Sequence, residues 1–467
     1  MFVGRKEELA TLERYAAMDS FQMVVVYGRR RVGKTRLIQE FLRGHNGIYF
    51  CAVESSAAKN LELLSEAIYR ATGVGGMALP PFGSFEAAFS YLATAAQDKR
   101  LVFVIDEYPY LAASEPSISS ILQSAVDSRL AGTKMMLILC GSSMSFMERQ
   151  VLGYQSPLYG RRTAQLRVLP LGYRESALFV PSWSCAERAV AYGVTGGVPR
   201  YLELFDVGRS LRDNLIALFL RPDGYLFEEP GNLLKQELRE PAVYNAVIEA
   251  VARGASRLNE IATALKRETS AVAPLLNNLL SLGILCKKTP LTEEKNARKT
   301  IYAFADPMFG FWYRFVSSGL YLIQSGEAEH LYDSVVGPGL PQYMGHVYET
   351  MCAQWLTGQS RLRKTPFVIE RMGTWWGTNP RTHGQEEIDI LAAGEGGTAA
   401  IFGECKFKNA PAGLDTLRSL REKANCLPAF SKRFYHLFSK GGFTSDLSAA
   451  AKGDPGVALT TLEELYD

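Results

Sequence analysis

The sequence predicts an α/β protein whose first part is a parallel, doubly wound sheet, and three stretches carry that reading. Apolar, β-prone runs at 23–27, 101–105 and 135–140 are separated by helical patterns, as strands and crossover helices are in a parallel sheet. Each run ends in polar residues: Gly28-Arg29-Arg30-Arg31-Val32-Gly33-Lys34-Thr35 after the first, Asp106-Glu107 after the second and Gly141-Ser142-Ser143 after the third. Ligands bind at the carboxyl ends of such strands. The pattern then changes. It divides the chain into the sheet region at 1–180, a helical lid at 181–240, a helix–helix–helix–hairpin unit at 241–315 and a second α/β region at 316–467.

Taken in order, Leu9, Leu12 and Tyr15 give an amphipathic N-terminal helix. The strand at 23–27 opens into G-x-x-x-x-G-K-T, and Arg36-Leu37-Ile38 starts a helix. This is a phosphate cradle: glycines let successive N–H groups turn inward, and the helix adds its positive end at the same point. Gly28, Arg31, Val32, Gly33, Lys34, Thr35 and Arg36 are the candidate nucleotide contacts. Lys34 is placed to reach the β- and γ-phosphates, and the Thr35 hydroxyl to take Mg²⁺. A short strand at 48–53, a helix through 61–68 and a Gly/Pro-rich loop at 73–83 follow.

The buried strand at 101–105 delivers two carboxylates. Asp106 is expected to hold Mg²⁺ through water, and Glu107 to orient and polarise the attacking water. A Glu directly after the Asp favours hydrolysis of ATP to ADP over phosphate transfer to an acceptor. Ser142, at the next strand end, is read as a sensor of the γ-phosphate or of that water, or as an ordinary turn residue. Arg161 and Arg162 precede a strand at 163–169. They are candidates to stabilise transition-state charge, in cis or from a second subunit of a homo-oligomer, or else a solvated basic turn.

Residues 241–305 read as three helices, at 244–252, 258–265 and 270–280, and a hairpin at 284–288 and 300–304: a winged helix. Its third helix exposes Ser, Ala and Asn rather than Arg and Lys, and its wing, with Lys287, Lys288, Lys295, Arg298 and Lys299, is interrupted by Glu293 and Glu294. A structural module coupled to nucleotide state is preferred to a DNA reader. Phe309, Phe311, Trp312, Tyr313 and Phe315 read as core, and 337–341 as a turn or linker at which a new domain starts. That domain orders a helix bearing Glu349, a strand bearing Asp389 and a facing strand bearing Glu404-Cys405-Lys406. Glu404 and Lys406, two apart, share one strand face. Glu349, Asp389 and Glu404 are candidate metal ligands, and Asp389, Glu404 and Lys406 candidates for phosphodiester cleavage of DNA or RNA. The alternative is a degenerate site that only binds nucleic acid or protein.

The whole chain is soluble-like in composition. Its 467 residues are 47% hydrophobic and 21% charged, with a net charge of +3 that does not by itself announce a nucleic-acid binder. Seven scattered cysteines without a C-x-x-C pair argue against a disulfide framework and a zinc site. No signal-peptide core and no membrane-length apolar run is present, so the expected place is the cytoplasm.

These motifs together, with Phe2-Val3-Gly4-Arg5, Gly196-Gly197-Val198-Pro199-Arg200 and Asp306-Pro307, resemble the archaeal-type P-loop ATPases of the AAA and STAND group. Members of that group end in a domain of uncharacterised function similar to PD-(D/E)xK nucleases, of restriction-endonuclease-like fold. The resemblance implies ATP and Mg²⁺ as cofactors, with Val3, Gly4 and Arg5 beside the base of ATP. It also implies that Pro199 touches adenine and reports nucleotide state to the winged helix. The proline that names the nuclease motif is missing before Asp389, where Glu387-Ile388 stands.

Overall fold

A computed structural model of the chain describes residues 2–73, 79–294 and 297–467. Part of the loop expected at 73–83 (residues 74–78) and Lys295 of the expected wing lie outside the described residues. The chain divides into two units, Met1–Leu171 with Val198–Arg200, and Gly172–Gly197 with Tyr201–Asp467.

In the first unit the apolar runs become strands β1 (Gln22–Tyr27), β2 (Gly47–Cys51), β3 (Leu101–Asp106), β4 (Met135–Gly141) and β5 (Ala164–Arg167). Every residue of β1, β3 and β4 is buried, which is why these runs are continuously apolar rather than alternating. All pairings are parallel, in the order β2-β3-β4-β1-β5. Thus β4 separates the strand that feeds the phosphate loop from the strand that ends in Asp106. Val24 and Val104 both pair with Ile138, so the three strand ends meet at one edge. Helices Lys6–Ala16 and Lys34–Leu42 lay Leu12, Leu37, Ile38 and Phe41 onto the face formed by Val24, Val26, Val104 and Ile138.

The second unit begins with short helices, among them Cys185–Thr195, Leu211–Phe219 and Glu229–Glu237. Helices Pro241–Ala252, Leu258–Ala264 and Thr269–Ser281 lead into an antiparallel hairpin, β6 (Leu285–Lys288) and β7 (Ile301–Phe304). Four residues of the aromatic stripe are core, Phe309, Phe311, Tyr313 and Phe315, while Trp312 is half-buried and donates its indole N–H to the Phe227 carbonyl at 2.6 Å.

The linker expected at 337–341 does not exist. Gly337–Arg361 is one helix of 25 residues. Pro338 follows directly on the π turn Tyr332–Val336, which already carries the chain in helical conformation, and Pro341 lies inside the helix. A Cβ on Gly339 would lie 2.6 Å from Phe315 Cε1, so the glycine answers to aromatic packing and not to a chain break. Beyond this helix, β8 (Arg371–Thr378), β9 (Gln385–Gly394), β10 (Ala399–Lys406), β11 (Lys432–Ser439) and β12 (Val457–Thr461) form a sheet in the order β12-β11-β10-β9-β8. β8, β9 and β10 are antiparallel neighbours, while β10, β11 and β12 run parallel. Helix Leu414–Ala424 crosses from β10 to β11 and buries Leu417, Leu420 and Ala424 with Phe402 and Leu437.

Candidate functional site

The phosphate loop is shaped by two close approaches and two left-handed residues. A Cβ on Gly28 would stand 2.3 Å from the Val168 carbonyl oxygen, so only glycine lets β1 end beside the chain leaving β5. Arg31 (φ 69°) and Gly33 (φ 91°) then turn the backbone into the helix that starts at Lys34. Lys34 is buried, and its ammonium donates to the carbonyls of Gly28 at 2.8 Å and Arg29 at 3.0 Å. The lysine thus lies folded over the cradle its own loop forms. Thr35 and Arg36 are exposed in the first helical turn.

Asp106 ties three elements together. Its Oδ2 accepts from the Thr35 hydroxyl at 2.8 Å and the Tyr49 hydroxyl at 2.6 Å, and its Oδ1 accepts the Glu107 N–H at 2.9 Å. Burial, then the adjacent Asp106 carboxylate, pushes the Tyr49 hydroxyl far above the ordinary tyrosine range, so it stays a proton donor. Glu107 is left-handed (φ 51°, ψ 45°), which is costly for a residue with a side chain and is characteristic of working sites. Its carboxylate accepts from Ser142 Oγ at 2.8 and 3.0 Å and from the Ser142 N–H at 3.4 Å. Ser142 therefore faces Glu107, which the sequence did not show, because the two lie on strands that are neighbours only in the folded sheet.

Arg5 is left-handed (φ 64°) and buried; its guanidinium donates to the Val32 carbonyl and to Glu8, both at 2.8 Å. This fixes Val3-Gly4-Arg5 against the phosphate loop, with Gly4 also left-handed. Pro199 comes to the same loop: a Cβ on Gly33 would lie 3.8 Å from Pro199 Cγ. Arg161 and Arg162 are engaged elsewhere. Arg161 pairs with Asp127 at 2.6 Å and caps the carbonyls of Pro157 and Tyr159, while Arg162 donates to the Leu152 carbonyl at 3.0 Å.

In the second unit, the antiparallel register of Gly403 with Ile390 continues to bring Asp389 opposite Glu404. Lys406 Nζ reaches Glu404 Oε1 at 2.5 Å, as the shared strand face requires. Lys423, from the helix crossing to β11, takes Glu404 Oε2 at 3.0 Å. Sequence reading missed Lys423: nothing in its helix marks which residue turns toward β10. The Asp389 carboxylate accepts the Cys405 N–H at 2.7 Å. Burial, reinforced by Glu404 and then Glu349, holds its pKa well above the carboxylate range. Glu349 itself bonds His346 Nδ1 at 3.2 Å. Among the described residues no three His, Cys, Asp or Glu side chains gather at metal-holding spacing. Glu404 and Glu349 thus stand near enough to Asp389 for their charges to be felt there, while the Cys405 N–H, the two lysines and His346 are the partners of the three carboxylates.

Residues 2–205 match a family of ATPase domains found predominantly in Archaea, and residues 312–423 match a family described as Archaea bacterial proteins of unknown function. An uncharacterized protein of Methanocaldococcus jannaschii is 33% identical over 410 residues, covering 88% of this chain and 88% of its own. An uncharacterized ATP-binding protein of the same organism is 57% identical over 42 residues, 9% of this chain and 71% of its own. Among solved structures, the Walker-type ATPase PABY2304 of Pyrococcus abyssi aligns with a TM-score of 0.50 at 21% identity, over 67% of this chain and 96% of its own. That likeness is one of fold.

Proposed function

The chain belongs to the family of archaeal-type ATPases in which an ATPase domain precedes a domain of unknown function, and from that premise we propose that it is an ATP-hydrolysing switch controlling a C-terminal nucleic-acid effector. The observation that carries the ATPase half is the linked set Thr35–Asp106–Glu107–Ser142 at one sheet edge. A hydroxyl and a carboxylate are hard oxygen donors, which suits Mg²⁺. Bound there, Mg²⁺ supplies charge neutralisation at the β- and γ-phosphates. Lys34 exchanges its loop carbonyls for phosphate oxygens. Glu107, steered by Ser142, accepts a hydrogen bond from the attacking water and orients it. Arg5 and Pro199 border the nucleotide, and Arg161 or Arg162 serves the γ-phosphate only after leaving its present partner, as on joining a second subunit.

Lys34→Ala is expected to lose nucleotide binding and turnover together. Glu107→Gln is expected to keep nucleotide binding while turnover falls about 10²–10⁴-fold. Titration calorimetry and phosphate release measure both, and normal turnover in either variant would refute the site.

Three helices followed by an antiparallel hairpin support a winged helix at 241–315. The mixed sheet at 371–461, with Asp389, Glu404 and Lys406 together, supports a PD-(D/E)xK-like domain acting on DNA or RNA. A second reading, an ATP-loaded scaffold with an inactive nuclease-like domain, is favoured by the lysines that occupy both oxygens of Glu404. Incubation of wild type and Lys406→Ala with single- and double-stranded DNA and RNA in Mg²⁺ or Mn²⁺ separates the two. Cleavage lost in the variant supports the nuclease, and no cleavage by the wild type supports the scaffold.

A further inference from the structure

We propose that Tyr49 is a positioning residue of the ATPase site, its hydroxyl setting the orientation of the Asp106 carboxylate. Nothing in the loop motifs assigns Tyr49 a role; it is an aromatic residue in the edge strand β2. The parallel register places Tyr49 beside Val104 and Cys51 beside Asp106. Tyr49 therefore lies two levels back from Asp106, on the face to which Val104 and Asp106 both belong. Two levels are roughly 6.6 Å of strand, a span that a tyrosine ring bridges and a serine or threonine does not.

The hydroxyl meets the same oxygen, Oδ2, that Thr35 uses, while Oδ1 holds the Glu107 N–H. Rotation about the Asp106 Cβ–Cγ bond breaks all three bonds at once. Tyr49 thereby fixes the oxygen presented to the metal side and the peptide that aims Glu107. Asp106 is only 1% exposed, so loss of the donor leaves a buried carboxylate oxygen with one hydrogen bond fewer. Groups that orient a metal-side ligand in this way typically contribute about 10–100-fold to metal affinity or activity.

The inference rests on Asp106 standing on the metal side of the ATP site, and the test separates the two. A non-hydrolysable ATP analogue is titrated calorimetrically, in Mg²⁺ and in EDTA, into wild type, Tyr49→Phe, Asp106→Ala and the double variant. Phenylalanine keeps the ring and removes only the hydroxyl. Tyr49→Phe is expected to bind as wild type in EDTA, which also reports that it is folded, and to lose about tenfold of the gain conferred by Mg²⁺. Asp106→Ala is expected to abolish that gain, and Tyr49→Phe to change nothing further in its background. A full Mg²⁺ gain in Tyr49→Phe overturns the proposal. So does an equal loss in EDTA, or an undiminished effect on top of Asp106→Ala. A wild-type gain in Asp106→Ala instead overturns the metal-side reading of Asp106, and the role of Tyr49 with it.

Discussion

Gly28 shows how far a single atom matters in this site. A methyl group there meets the Val168 carbonyl at 2.3 Å, and neither backbone can yield without moving β5 or the phosphate loop. Gly28→Ala is expected to cost about 1–3 kcal/mol of stability and to weaken nucleotide binding, both measurable by denaturant titration with and without ADP. Wild-type values in both would show that the loop relaxes at no cost. His436 makes the opposite point about a polar residue in a core. It is buried, stacked on Phe438 at 4.2 Å, and bonded through Nε2 to the Thr460 hydroxyl at 2.8 Å. Burial pushes its pKa from 6.5 down to about 3. The unfolded chain takes up this proton first, so stability is full above about pH 6.5 and declines toward pH 3, by about 1.4 kcal/mol per unit. In His436→Phe that part of the acid sensitivity is expected to vanish, as seen in chemical denaturation from pH 7 to pH 5. An unchanged slope would contradict a buried neutral imidazole.

At the scale of elements, the helix Gly337–Arg361 decides how the second unit is built. Its first residues carry every mark of a loop, yet it packs directly on the aromatic cluster. Helix propensity alone predicts that Gly339→Ala stabilises by about 1 kcal/mol. The clash with Phe315, a buried ring held at 5.2 Å from Phe311 and 5.9 Å from Tyr343, opposes it. Overpacking of about 1–3 kcal/mol outweighs the propensity gain, so the variant is expected to be less stable than wild type; thermal unfolding gives the sign. β4 is the corresponding element of the first unit. By lying between β1 and β3 it brings Ser142 to Glu107 and spaces Glu107 from the phosphate loop by one strand.

For the molecule as a whole, the segment Val198–Arg200 belongs to the first unit although the chain on both sides of it belongs to the second. Pro199 stands at the phosphate loop, so a change there has a covalent route out along Tyr201 and the helices that follow. Hydrogen exchange over 201–240 is expected to differ between ADP and a non-hydrolysable ATP analogue. In Pro199→Ala the difference is expected to shrink while nucleotide affinity stays within a few-fold of wild type. Identical exchange in both nucleotide states of the wild type would argue against a switch. Among the described residues no helix is long and apolar enough to cross a membrane.

The sequence by itself determined what local chemistry can specify. Continuous apolar runs ending in Gly-x-x-x-x-Gly-Lys-Thr and in Asp-Glu required buried parallel strands with a phosphate-binding edge, because each signal sits within a few consecutive residues. Spacing of two likewise put Glu404 and Lys406 on one face. Contacts made across the sheet were left to the tertiary structure: Tyr49 and Thr35 on one oxygen of Asp106, Ser142 on Glu107, Lys423 on Glu404, and Arg161 on Asp127. Each joins residues from different elements, and their meeting depends on strand order and register, which no local pattern encodes. The helix at Gly337 was illegible for the same reason. Its glycines and prolines break helices in isolation, and the burial of Leu340, Tyr343 and Met344 in the fold outweighs that preference.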